Sequence, residues 1–222
     1  MKHERSVQRV DFLVEQCADK VALHLGCTNW PYTSQSFIDD NLLHATLRRH
    51  SKRLYGIDSD RQGIDQLREL GFDDLYLADL EKLDQCRDLG TFDVVIAGEV
   101  IEHLNNPGVF LQGVKRFLRK DSRFVLTTIN AYCAMRYAIY ALRGKGGTNE
   151  PVHPDHVAYY SYSTLQLLLE RHSFKVVDFR FYDVGREHRI HNRFLVNALN
   201  DVSVRLFPQL SDGLIFVCEL DE

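Results

Sequence analysis

The sequence predicts one α/β domain, a Rossmann-like, seven-stranded and mostly parallel sheet with helices on both faces. Three observations predict it. Short apolar runs ending in Gly, Asp or Asn alternate with stretches of helical period, the pattern of a parallel sheet crossed by helices. The run "VALHLGC" passes from a buried strand straight into a glycine turn, as nucleotide-binding βα units do. The 222 residues, 45% of them hydrophobic, suffice for one full core and fall short of two.

The elements follow in order. A helix over about residues 7–16, within an N-terminal cap of about residues 1–20, precedes the sheet and is placed to cover the sheet or the pocket at its end. "VALHLGC" is the first strand and "RLYGIDSD" the second, followed by the helical "RQGIDQLRELG". "DLYLADL" and "FDVVIAGEVI" are the third and fourth. Next comes a helix over about residues 107–119, with Val109, Phe110, Val114, Phe117 and Leu118 on one apolar stripe. "RFVLTTIN", "FKVVDFRFYD" and "DGLIFVCEL" are the last three strands, and residues 189–207 form one helix or two before the seventh. After the fifth strand an insertion over about residues 131–160 opens as an aromatic helix and continues as a Gly- and Pro-containing loop before the helical "SYSTLQLLLERHS". That is the place for a lid or substrate cap.

Composition narrows the class. A net charge of −4 and a pI near 6.2 give no general attraction for nucleic acid or an anionic membrane. The basic "REHRIHNR" lacks interleaved aromatics and reads as a solvated helix start; His188 and His191 within it bind metal only with further ligands that the sequence does not identify. Five scattered cysteines without CxxC spacing argue against a disulfide framework or a structural zinc site, so no metal is expected and a reducing cytoplasm fits. No window is apolar enough to span a bilayer, and the charged N-terminus has no signal-peptide core.

Ligands of open α/β sheets bind beyond the carboxyl ends of the strands. The first strand ends at Gly26, where a missing side chain lets backbone N–H groups approach a ligand. The second ends at Asp58, placed to accept from ribose hydroxyls, and the third at Asp79 and Leu80, an acceptor and a backbone donor suited to an adenine edge. The fourth ends in "GEVIEHL", which brings Glu99, Glu102 and His103 to the same rim.

On "LHLGC", "LYGIDSD", "LADL", the stretch from "FDVVIAGEVIEHLNNPGVF" to "TTIN", and "HVAYYSYSTLQLLLERHSFKVV", the chain resembles the class I S-adenosylmethionine-dependent methyltransferases. It is most similar to their small-molecule branch, which includes the ubiquinone-biosynthesis O-methyltransferases. The resemblance implies a seven-stranded sheet with the last strand antiparallel and S-adenosyl-L-methionine, released as S-adenosyl-L-homocysteine, across the ends of strands one to four. It implies Gly26 and Cys27 at the methionine moiety, Asp58 on the ribose, Asp79 and Leu80 on the adenine, and Glu99 on the sulfonium side. Thr28, Asn29 and Trp30 stand where members usually have further glycines. Two alternatives follow: the cofactor is displaced if those glycines are needed for close backbone approach, or the site is kept if Asn29, which tolerates left-handed geometry, makes the turn.

Methyl transfer to a hydroxyl of a small-molecule acceptor is the expected reaction, and an oxygen acceptor needs a base. His156 is the first candidate and His103 the second, each able to accept a proton near neutral pH. Tyr132, Tyr137, His153 and Tyr160 are the candidate acceptor contacts. For the histidines of "PVHPDH" the alternative is a turn in which the imidazoles satisfy backbone groups. The aromatic helix is either core or a mobile cap, and in the second case residues 131–144 offer peripheral contact with a membrane that collects the acceptor. Trp30 and Tyr32 either close over the cofactor or fill space beside the N-terminal helix. Two other functions remain: a catalytically silent protein that binds S-adenosylmethionine or S-adenosylhomocysteine, and a nicotinamide-dependent reductase, which lacks its GxGxxG fingerprint here.

Overall fold

The computed structural model describes residues 6–86, 89–143, 155–183 and 194–221. Among them one sheet of eight strands is built from β1 (Val7–Gln8), β2 (Val21–Leu25), β3 (Arg53–Asp58), β4 (Leu75–Leu77), β5 (Val94–Gly98), β6 (Arg123–Ile129), β7 (Phe174–Asp183) and β8 (Gly213–Leu220). Their order is β1-β7-β8-β6-β5-β2-β3-β4. Strand β8 runs antiparallel to both β6 and β7, and the remaining pairs are parallel. All seven expected strands form. The eighth is the two-residue β1, where the expected start of the N-terminal helix instead pairs with the end of β7, Val7 opposite Tyr182.

Side-chain alternation divides the core. On β5, Val94 and Ile96 face one side while Val95 and Ala97 face the other, and on β8 Ile215 and Val217 alternate with Leu214, Phe216 and Cys218. The first face packs on helix α1 (Arg9–Cys17) through Phe12 and Leu13, and on α3 (Leu43–His50) through Leu47. The second packs on α5 (Pro107–Val114) and α7 (Tyr162–Arg171), where Phe110, Leu111, Leu165 and Leu169 are fully buried. Each such side chain contributes roughly 1.5–3 kcal/mol by leaving water. Helix α5 ends four residues or more before the expected limit and tightens into a 3-10 turn, Lys115–Phe117. Its buried stripe takes Leu111 in place of Val109, which is exposed.

Helix α2 (Thr33–Ile38) and α3 follow β2 without a signal in the sequence, because α2 is a turn and a half and neither has a side-chain cap. Helix α4 (Arg61–Glu69) is capped by Asp60, whose carboxylate accepts from the Gly63 N–H. The insertion after β6 begins as α6 (Ala134–Arg143), which packs on α8 (Phe194–Leu206). Ser161 and Thr164 form a reciprocal capping box at α7, two donors satisfied where a helix otherwise leaves them orphaned.

Candidate active site

Strand β2 pairs with β3 on one side and β5 on the other, so the sheet order reverses between β2 and β5. A crevice opens beyond the carboxyl ends at such a point. Here it is a cleft of about 1390 Å³ lined by Gly26, Cys27, Asp58, Asp79, Leu80, Glu99, His103 and His156 among others. All the expected cofactor residues and both expected bases meet there. Its volume exceeds the roughly 300–1,000 Å³ of an ordinary single-ligand pocket, which leaves room for two ligands.

The turn after β2 is made by Gly26 alone, at φ 76°. A Cβ there would stand 2.5 Å from Val100 Cγ2, so a side chain is excluded twice, by φ and by space. Asn29 does not supply the left-handed residue. Its backbone N–H donates to Thr33 Oγ1, its Nδ2 to Ser36 Oγ, and it thereby ties the loop to α2. Nor do the loop amides point at a ligand as expected: Gly26 and Cys27 donate to Ile57 O, and Thr28 donates to Asp58. These amides are satisfied by the end of β3, and the loop gives the cleft the bare face of Gly26 beside the side chains of the residues that follow it.

Asp58 is the brace of that loop. Its Oδ2 accepts from both the N–H and the hydroxyl of Thr28, each at 2.9 Å, while Oδ1 accepts from the Asp60 N–H. A carboxylate has about four acceptor positions, so beside these three bonds one remains, on Oδ1, for a ribose hydroxyl. The neighbouring Cys27 thiol is buried, and burial together with the Asp58 charge pushes its pKa well up; it is a neutral wall of the cleft. Asp79 caps the following 3-10 turn by accepting from the Glu81 N–H and pairs with Lys82 at 2.9 Å. The Lys82 ammonium and the Glu81 N–H hold its carboxyl below the usual range.

Glu99 sits at φ 57°, a left-handed conformation costly for a residue with a side chain and common where a site over-determines it. Two hydroxyls hold its Oε1: Thr127 at 3.1 Å and Tyr182 at 2.5 Å. Glu102, expected on the rim, is instead fully buried beneath it. Its Oε2 accepts from Thr128 Oγ1 at 2.9 Å, and burial, with the nearby Glu99 charge second, pushes its pKa up to about 8.

The backbone brings the two bases together. Glu102 O accepts from the N–H groups of Val157 and Ala158, which pins the segment after the insertion to the turn after β5. The rings of His103 and His156 consequently lie 4.6 Å apart, nearly perpendicular. His153 lies outside the described residues. The other expected acceptor contacts are placed elsewhere: Tyr160 is buried in the core, its backbone bridged to Asn130, and Tyr132 and Tyr137 are 56% exposed on the outside. From the start of this insertion the cleft is lined by Cys133 and by Met135, Arg136 and Ile139 of α6, and from its end by Asp155 and His156. Trp30 and Tyr32 are exposed at the cleft's mouth and do not fill space under α1.

Sequence reasoning did not single out Arg9, His24, His44 or Tyr182, which also line the cleft. His24 and His44 are buried with their Nδ1 atoms 3.2 Å apart and rings stacked. Burial lowers both pKa values, that of His44 to about 3. The available signal was a histidine at an inward position of an otherwise apolar strand.

Residues 40–126 match the model of a methyltransferase domain. The matched stretch contains Asp58, Asp79, Glu99, Glu102 and His103. No curated protein matches the chain in sequence. Among solved structures, an S-adenosylmethionine-dependent methyltransferase from Archaeoglobus fulgidus superposes with a TM-score of 0.64 at 15% identity, over 95% of this chain and 91% of that one. The 1,6-didemethyltoxoflavin-N1-methyltransferase of Burkholderia thailandensis, solved with bound 1,6-didemethyltoxoflavin and S-adenosylhomocysteine, gives 0.58 at 13% identity, over 96% and 78%. The [4+2]-cyclase SpnF gives 0.58 at 14%, over 96% and 80%. The fold is the one these methyltransferases share, and the cyclase bears it too.

Proposed function

We propose that this protein is an S-adenosylmethionine-dependent methyltransferase acting on a hydroxyl of a small molecule, within the branch that includes the ubiquinone-biosynthesis O-methyltransferases. The observation that carries this reading is the convergence of Gly26, Asp58, Asp79 and Glu99 on one cleft at the switch point of the sheet. When bound, S-adenosylmethionine supplies a methyl group already activated on a sulfonium. The chain's part is alignment and exclusion of water. Asp58 and Asp79 fix the nucleoside end, the bare face of Gly26 admits the amino-acid end, and Glu99, locked by Tyr182 and Thr127, marks where transfer occurs.

An acceptor enters on the side of Met135, Arg136 and Ile139, facing His103 and His156. An imidazole of that pair, His156 first, takes up the hydroxyl proton. Membrane contact, where a lipid-like acceptor collects, uses the exposed Tyr132, Tyr137 and Tyr140 of α6 and its approach. No helix among the described residues is long and apolar enough to cross a membrane, and the acidic balance speaks against nucleic acid as acceptor. A cytoplasmic location accords with the five free cysteines. The catalytically silent reading is not favoured, because the acids that serve the cofactor and the histidine pair that serves an acceptor are all present.

The test is transfer of a labelled methyl group from S-adenosylmethionine to a panel of hydroxylated aromatic and lipid-like acceptors, with Asp58→Ala beside the natural protein. Labelled product that Asp58→Ala fails to form supports the proposal. Failure on every acceptor by protein that binds S-adenosylmethionine would move the balance to the silent reading.

A further inference from the structure

Arg136 lies in the first turn of α6 and lines the cleft on the acceptor side. Its Nη2 donates to two carbonyls, Asn130 O and Asp212 O, which belong to the residue after β6 and the residue before β8. The guanidinium is thereby fixed to the sheet as well as to its helix. Asn130 is itself buried and held, its N–H on Asp212 O and its Nδ2 on the carbonyls of Gln209 and Ser211. Carbonyl oxygens orient a guanidinium without neutralising it. Among the described residues Arg136 forms no ion pair with a carboxylate, and its Nε is buried without a hydrogen-bond partner. A charge left uncompensated in a partly buried place is costly, and an anion brought by a ligand relieves that cost.

The carboxylates on this side of the cleft, Asp155 and Asp212, do not pair with it. Arg136 meets Asp212 through the main-chain oxygen, while the Asp212 carboxylate accepts from Cys133 Sγ at 3.2 Å. Burial pushes the Cys133 thiol up to about 11, and of the two charges beside it Arg136, which lowers the value, outweighs Asp212, which raises it. The wall of the cleft formed by Cys133 and Arg136 is therefore positive in spite of the acids near it.

We infer that Arg136 selects the acceptor by charge: the substrate carries a carboxylate besides the hydroxyl that is methylated, and the Arg136 guanidinium holds that carboxylate. The inference rests on the proposed function and narrows its substrate class. A carboxylate suits the wall better than a phosphate, whose second negative charge would also face Asp155 and Asp212. Met135 and Ile139 flank Arg136 on the cleft side of α6 and receive the apolar body of the acceptor. Holding the carboxylate fixes one end of the acceptor, which contributes to the alignment that methyl transfer requires.

Calorimetric titration in the presence of S-adenosylhomocysteine tests this with two hydroxy acids, para-hydroxyphenylacetate and ω-hydroxydecanoate, each beside its uncharged primary amide. The natural protein is compared with Arg136→Lys, which keeps the charge, and with Arg136→Gln, which keeps an N–H donor without it. Thermal melts establish that both variants fold. The inference predicts that the natural protein binds at least one acid at least about tenfold more tightly than its amide, as a hydrogen bond to a charged group allows. Arg136→Gln loses that preference, Arg136→Lys keeps part of it, and S-adenosylhomocysteine affinity is retained in both. No acid bound more tightly than its amide, or an undiminished preference in folded Arg136→Gln, overturns the inference. Methyl transfer from S-adenosylmethionine is followed in parallel. An acid preference without transfer to any acceptor contradicts the proposed function and leaves the anion site standing, whereas equal transfer to acids and amides overturns the anion site and leaves the function standing.

Discussion

The Tyr182 hydroxyl donates to Glu99 Oε1 at 2.5 Å, joining the end of β7 to the end of β5 across the two strands between them. Gly213 makes this reach possible. A Cβ at Gly213 would lie 2.0 Å from Tyr182 Cζ, inside the ring, so the ring crosses β8 only where that strand has no side chain.

Gly213→Ala is accordingly expected to destabilise the protein by about 1–3 kcal/mol, the usual cost of overpacking. Tyr182→Phe should cost about 1–3 kcal/mol through the hydrogen bond lost to a carboxylate and also weaken cofactor affinity by freeing Glu99. Urea unfolding beside calorimetric titration checks both. Unchanged stability in Gly213→Ala would show that the ring does not lie on that glycine.

Thr28→Val keeps the shape of the side chain and removes one of two donors to Asp58 Oδ2. If the loop is braced as described, this variant binds S-adenosylhomocysteine measurably more weakly while its melting temperature falls by only a few degrees, since one hydrogen bond is worth about 1 kcal/mol. Unaltered affinity would mean that Asp58 positions the ligand without the brace.

The buried histidine pair makes stability depend on pH. His44, held neutral by burial with its pKa lowered to about 3, and His24, lowered by burial and by His44, take up protons in the unfolded chain near 6.5 and resist them in the fold. The pair's contribution to stability therefore falls as pH drops below about 6.5, that of His44 toward about 3, whereas above pH 7 the pair adds no slope; Glu102, its pKa raised from 4.5 to about 8, contributes in the opposite sense between those values. His44 contributes up to about 1.4 kcal/mol per pH unit in that window, and His24 adds a slope of the same sign. Denaturant unfolding at pH 7.5, 6 and 5 measures the slope, and His44→Gln should reduce it by one proton. Equal slopes for the two proteins would contradict the assignment.

Much of this was legible in the sequence because strands buried on both faces read as apolar runs and their ends carry the chemistry. Gly26, Asp58, Asp79 and Glu99 could be placed from the strand ends alone. Local signals gave out where long-range contacts decide. The two residues of β1 pair with a strand more than 170 positions away, and Glu102 is buried by Thr128 and by residues 157–158, which no spacing reveals. Tyr132, Tyr137 and Tyr160 were indistinguishable as aromatics beside a lid; the twist of α6 turns Met135 and Ile139 to the cleft instead, and a backbone bridge to Asn130 fixes Tyr160 in the core. Asn29 had the backbone tolerance for the turn, but the lone Gly26 already makes it, leaving the Asn29 side chain to anchor α2.

Calorimetric titration of ligand-free protein with S-adenosylhomocysteine, on the natural chain and on Asp58→Ala, tests the central claim most directly. The account predicts saturable one-to-one binding by the natural protein and its loss in a folded Asp58→Ala variant. Absence of binding by the natural protein, or equal binding by the variant, would contradict the assignment of this cleft to the cofactor.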